Sequence, residues 1–143
     1  MKKMKTLIYP LVFFSFISCG VQHLPEDAKA DIKTSKTEVA NDDEKWEVIV
    51  FDPQYETYIL SVARPISMFT DAYLRSRNQI LVSEWNSRYY SGRNPNFYEV
   101  AIDYDPNEDY GIEFNYRIYQ FFGFLNWRYG VKFNGLSMMD RRK

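Results

Sequence analysis

The pattern of apolar and polar positions divides the chain into three. Residues 6–17 are almost wholly apolar and carry no charge. Residues 20–45 are mostly polar and contain no aromatic side chain. From Trp46 onward, apolar and aromatic positions return at regular spacings. Trp46-Glu47-Val48-Ile49-Val50-Phe51 is a short β-branched run that predicts a buried strand. Asp52-Pro53 then matches a helix start, with aspartate as cap and proline in the first turn. Tyr55, Tyr58, Ile59 and Val62 recur at helical spacing until Arg64-Pro65 closes the segment. A second helical region runs from Ser67 or Thr70 to Tyr90, with Phe69, Tyr73, Ile80 or Leu81, Trp85 and Tyr89 on one face. Asn78-Gln79 offers a point at which it divides in two.

Ser91 to Asn96, SGRNPN, is a loop by its Gly, Pro and Asn content. Phe97 to Tyr104 alternates as a strand does. The DPNEDYG turn follows, and then Phe114, Ile118, Phe121, Phe122, Leu125 and Tyr129 form one stripe of a long helix. Gly130 stands where a C-terminal cap favours glycine, and Val131-Lys132-Phe133 adds a short edge strand. The expected order is β-α-α(α)-β-α-(β). This is an α+β domain over 46–143, with two to three strands packed by three to four helices.

The first segment has its own chemistry. Lys2, Lys3 and Lys5 precede an apolar run of about 12 residues, where a bilayer span needs about 20. Small residues then flank the only cysteine in the chain, Cys19. Phe16-Ile17-Ser18-Cys19 resembles the lipobox of bacterial lipoproteins, with Phe16 where that family prefers leucine. The resemblance implies residues 1–18 as a signal peptide, cleavage between Ser18 and Cys19, and acyl chains on the Cys19 sulfur that hold the protein to a membrane. An ordinary secretory cut using Ser18 and Gly20 is the alternative; it would remove Cys19 and leave a soluble periplasmic protein. With no second cysteine, Cys19 has no disulfide partner in the chain.

Gly20 to Lys45 holds 7 acidic residues and 4 lysines. Low hydrophobicity with net charge predicts a disordered acidic tether over 19–45, long enough to set the domain about 25–30 Å from its anchor.

The domain lacks the residue types that many enzymes require. The sole histidine, His23, lies in the expected tether. There is no Cys-His or Ser-His pair, no zinc ligand set and no Gly-rich phosphate loop. These gaps predict a non-enzymatic protein without a metal or other cofactor. The chain without residues 1–18 nets −4, since the whole carries −1 and the three lysines +3, and its basic residues are not clustered, which argues against nucleic acid. Asp103, Asp105, Asn107 and Asp109 alternate as calcium ligands do, but Glu108 and Phe114 replace the glycine and glutamate that a calcium loop needs. A turn capped by Asp and Asn side chains is the competing reading. Glu56, Glu84, Glu99 and Glu113 are the possible members of a hydrolytic carboxylate pair, and no spacing selects two of them. Tyr116, Tyr119, Phe124 and Trp127 face away from the main stripe of the last helix. They mark either a helix buried on two sides or an aromatic patch for a partner protein or glycan.

VIVFDPQYETYILSVARP, ILVSEWNSRYY and IDYDPNEDYGIEFNYRIYQFFGFLNWRYGV together resemble an uncharacterised family of small lipoproteins from Bacteroidota. The resemblance implies a cell-envelope lipoprotein and assigns no activity; within the envelope, the outer membrane facing the periplasm is the expected location rather than the inner membrane. A non-enzymatic binding or structural component is the leading expectation. A glycan- or peptidoglycan-binding module and a carboxylate-only hydrolase are the alternatives.

Overall fold

The run at Trp46 is a strand, as its alternation requires. In the computed structural model, which describes residues 24–38 and 44–141, it becomes β2 (Glu44–Val50). Val48 points into the core and Ile49 outward. Its partner is β1 (Ile32–Glu38), antiparallel, with Ile32 opposite Val50 and Thr34 opposite Val48. Three helices follow: α1 (Gln54–Ser61), α2 (Asp71–Tyr90) and α3 (Ile112–Tyr129), with a 3-10 turn at Ile66–Met68 between the first two. The domain is α+β, with a two-stranded sheet and the helices packed about α3. No described helix is long and apolar enough to cross a membrane.

β1 corrects the expectation of a disordered tether. Ala28, Ala30 and Ile32 are buried, and the Tyr129 hydroxyl donates to the Lys29 carbonyl at 3.2 Å. The segment IKTSKTE cannot order itself by its own apolar content. It is ordered by the ladder it shares with β2 and by three small or branched side chains set into a core built elsewhere. Composition measures only what a segment brings, not what its partner supplies. The domain therefore includes Leu24 and the residues up to β1.

α1 begins as expected. Asp52 Oδ1 accepts the Gln54 N–H at 2.8 Å, and Pro53 has helical φ and ψ. Tyr55 and Tyr58 face the core. α2 is unbroken at Asn78-Gln79: Asn78 is fully buried, and its Nδ2 donates to the Asn115 carbonyl at 2.9 Å. A polar residue in mid-helix is thus a cross-link to α3, not a break. Thr70 caps α2 by accepting the Tyr73 N–H at 3.2 Å.

Two further expected strands are absent among the described residues. Residues 97–104 form no strand: a turn at Phe97 and a bend at Val100 interrupt them, and their one β-bridge joins Tyr98 to Ala30. Their backbone is held by α2 instead. Trp85 Nε1 donates to the Val100 carbonyl at 2.8 Å. Asn86 pairs with Ile102 twice, giving Nδ2 to its carbonyl at 2.9 Å and taking its N–H at 2.8 Å. A side-chain amide here does what a neighbouring strand does in a ladder. Residues 131–133 are treated alike: Arg88 Nη2 donates to the Lys132 carbonyl at 2.7 Å, and Glu84 Oε2 accepts the Asn134 N–H at 2.8 Å. Strand pairing was not required, because α2 satisfies those backbone groups.

α3 is the centre of the domain. Phe114, Ile118, Phe121, Phe122 and Leu125 are buried on one side, and Tyr116, Tyr119 and Phe124 on the other. Gly130 closes it in the left-handed conformation, φ 68°. Gly123 leaves room for the Tyr58 hydroxyl, which a Cβ at that position would strike.

Candidate functional site

Ser18 and Cys19, the expected cleavage and lipidation positions, lie outside the described residues.

The acidic turn is a capping structure. Asp105 Oδ1 accepts the Asn107 backbone N–H at 2.8 Å and its Nδ2 at 3.0 Å. Asp109 Oδ1 accepts from Arg75 Nη2 at 3.2 Å and from the Gly111 N–H, which opens α3, at 3.4 Å. Asp103 is exposed apart from both. Among the described residues no three acidic side chains converge as metal ligands. Asp105, Asn107 and Asp109 are occupied in shaping the loop, as an Asx-type turn uses them.

The expected aromatic patch does not form. Tyr116, Tyr119 and Phe124 are buried, and only Trp127 reaches the surface, at 37 % exposure. It leans on Tyr58 and Phe124, with ring centroids 5.6 and 6.0 Å away. Both faces of α3 are covered because the tyrosines have partners for their hydroxyls. Tyr116 donates to the Arg64 carbonyl at 2.7 Å, and Tyr119 to Asp140 Oδ2 at 2.7 Å. Sequence spacing finds the second face, but it does not reveal that the C-terminal segment folds back over it.

That segment is fastened by a clasp. Arg64 meets Asp140 with both prongs of its guanidinium, Nε to Oδ1 at 2.6 Å and Nη2 to Oδ2 at 2.7 Å. The Asp140 side chain is 2 % exposed, and Arg64 also covers the Phe69 ring at 4.6 Å. Hydrogen bonding to Asp140 holds the Arg64 guanidinium even more firmly protonated than usual.

A second polar cluster joins α2, α3 and the loop between them. The Tyr104 hydroxyl donates to Asn115 Oδ1 at 2.9 Å, and Asn115 Nδ2 donates to Asp71 Oδ1 at 2.8 Å. Burial pushes the Tyr104 hydroxyl up to about 12. Burial also pushes up Tyr55 and Tyr119, and the hydrogen bond to Asp140 adds to the Tyr119 shift. The unfolded chain ionises these phenols near pH 10, whereas the folded chain keeps their protons. Stability is therefore complete below about pH 10 and falls as pH rises through 12. Urea unfolding at neutral pH, about pH 10 and about pH 11.5 is expected to show a plateau followed by a steep drop. A flat profile across that range would show that these phenols titrate alike in both states.

Of the four candidate carboxylates, two meet. Glu56 on α1 and Glu113 on α3 line one cleft of about 430 Å³ with Arg117, Phe114 and residues 45–50 of β2. Arg117 Nη1 binds Glu56 Oε1 at 2.7 Å. Glu84 is held by Arg88 and the Asn134 N–H, and Glu99 lies 3.9 Å from Lys29. The Glu56 carboxylate is thus engaged by a cation. A second cleft of about 320 Å³ lies between residues 27–31 and the start of α1, beside the exposed Phe51.

No curated protein and no solved structure matches the chain. The match to a family model spans residues 7–141, which includes every described element: the chain belongs to the family of unknown function DUF6146.

Proposed function

We propose that the chain is a lipid-anchored protein of the bacterial cell envelope, held through acyl chains on Cys19, whose domain binds another envelope component and catalyses no reaction. The observation that carries this reading is the N-terminal sequence: three lysines, an apolar run too short to span a bilayer, and Phe16-Ile17-Ser18-Cys19. Two or three acyl chains anchor a protein stably where one does not. Within the envelope, the outer membrane facing the periplasm is the expected location. The domain supports the non-catalytic half of the reading. Residues 24–141 contain neither histidine nor cysteine, and the buried Asp140 and the groove carboxylate Glu56 are held in ion pairs. Burial of Tyr116, Tyr119 and Phe124 removes the flat aromatic strip that a glycan-binding surface would use, so a protein partner is the better fit.

Intact mass spectrometry of protein made in a lipoprotein-processing host tests the anchor. The expected mature chain begins at acylated Cys19, stays with membranes until detergent is added, and becomes unacylated in Cys19→Ala. A wild-type chain cleaved after Gly20 and recovered without detergent would establish the soluble periplasmic alternative.

A further inference from the structure

We propose that the outer edge of β2 is a strand-addition site, which takes an extended polypeptide segment of a partner protein carrying a basic residue. This deepens the binding reading above and rests on it. The argument starts from the ladder. The Phe51 N–H donates to the Asp31 carbonyl at 3.1 Å, directly across the pair that continues the register from Ile32 opposite Val50. In an antiparallel pair, bonded and non-bonded positions alternate. Ile49, Glu47 and Lys45 therefore bond toward β1, whereas Val50, Val48 and Trp46 turn their N–H and C=O groups to the opposite side. Among the described residues nothing bonds to those groups. The edge they form is not solvent-facing on a bare flank. It is one wall of the 430 Å³ groove, whose other wall is Glu56, Glu113, Phe114 and Arg117 of α1 and α3.

The two edges of the sheet differ in the way that matters. The outer strand β1 carries exposed Lys33 and Lys36, the charges with which proteins blunt a free edge. β2 has its charges Glu44 and Lys45 at its start; from Trp46 to Val50 it carries only Glu47, with no proline and no glycine. These five residues of edge run about 17 Å, and an added strand would lie about 4.8 Å from β2, on its groove side. With residues of α1 and α3 lining the far side of the groove, an extended peptide segment meets less obstruction beside β2 than a second folded copy of the chain.

Side chains set the chemistry of the segment. Trp46 and Phe114, ring centroids 6.0 Å apart, offer an apolar floor for alternate residues. The groove holds Glu47, Glu56 and Glu113 against Lys45 and Arg117, and Arg117 is taken by Glu56. Glu113 is exposed and makes no hydrogen bond among the described residues. A lysine or arginine in the incoming strand complements it.

The test uses the full-length acylated chain in nanodiscs. A synthetic library of heptapeptides, alternating Val or Thr with Lys or Glu, is added while backbone amides are followed by NMR and hydrogen exchange. Lys-bearing members are expected to bind at millimolar or better affinity and to slow exchange at Trp46, Val48 and Val50 at least tenfold, leaving β1 amides unchanged. Glu113→Lys is expected to weaken the Lys-bearing peptides about tenfold and to favour the Glu-bearing ones. Failure of every member to protect those three amides overturns the proposal. So does protection of the same amides without peptide that rises with protein concentration, which would assign the edge to a second copy. Acylation of Cys19 is read by mass on the same sample, so the anchor and the groove can fail separately.

Discussion

Trp85→Ala is expected to destabilise the domain by about 3–5 kcal/mol, the range for removing a large aromatic side chain from a core. Trp85 is fully buried and lies against four aromatic rings, with the Tyr98 centroid at 4.8 Å and that of Phe121 at 5.4 Å. Its Nε1 also carries the carbonyl of Val100, so the same change frees the segment that has no strand beside it. At roughly 3–6 °C per kcal/mol for a domain of this size, the melting temperature should fall on the order of 10–20 °C. Trp85→Phe separates the two contributions. It retains most of the ring and loses the N–H, so it should cost about 1–2 kcal/mol and raise hydrogen exchange selectively around residues 98–102. A loss below about 1 kcal/mol for the alanine variant would mean that the core closes over the gap.

The second large effect is expected at the clasp. Asp140→Ala leaves Arg64 and the Tyr119 hydroxyl without their acceptor. Breaking a buried pair from one side costs about 3–5 kcal/mol, and the lower end applies because the Arg64 side chain is 22 % exposed. Arg64→Ala/Asp140→Ala should cost clearly less than the sum of the two single changes, because the double variant leaves no uncompensated charge. Urea denaturation of the four proteins measures this coupling. Additive losses would show that the two side chains act independently, and the clasp would then be no more than proximity. The C-terminal segment is the place to look for the local consequence. Ser137 N–H donates to Tyr119 at 3.2 Å, and Arg141 holds the Phe133 and Leu136 carbonyls at 3.0 and 3.1 Å.

Elements that carry their own instructions were legible in the sequence. β2 follows from its β-branched run, α1 from Asp52-Pro53, and α3 from the Phe114-to-Tyr129 stripe ending at Gly130. What escaped was decided between distant segments. β1 has one large apolar residue in its seven positions, and nothing local says that β2 will pair with it. Residues 97–104 alternate convincingly, yet whether they join a sheet depends on Trp85 and Asn86, more than ten positions earlier. Asn78 reads as a helix breaker until the Asn115 carbonyl stands opposite it. The groove likewise was half visible: Glu56 and Glu113 were both candidates, but their shared cleft depends on how α1 and α3 pack. The open side of β2 depends on there being no third strand beside it among the described residues, which no local pattern states.

The order of the arm before β1 changes the mechanics of attachment. A free acidic stretch from residue 19 to 45 would let the domain roam. With Leu24 already part of the fold, four residues separate it from Cys19, and the five intervening virtual bonds reach at most about 18 Å. A chain acylated at Cys19 would ride on the bilayer as a keel-mounted body rather than swing as a tethered one. Leu24, and the domain with it, would stay within that reach of the lipid surface. Partners would have to come down to that surface, because the domain could not rise to meet them.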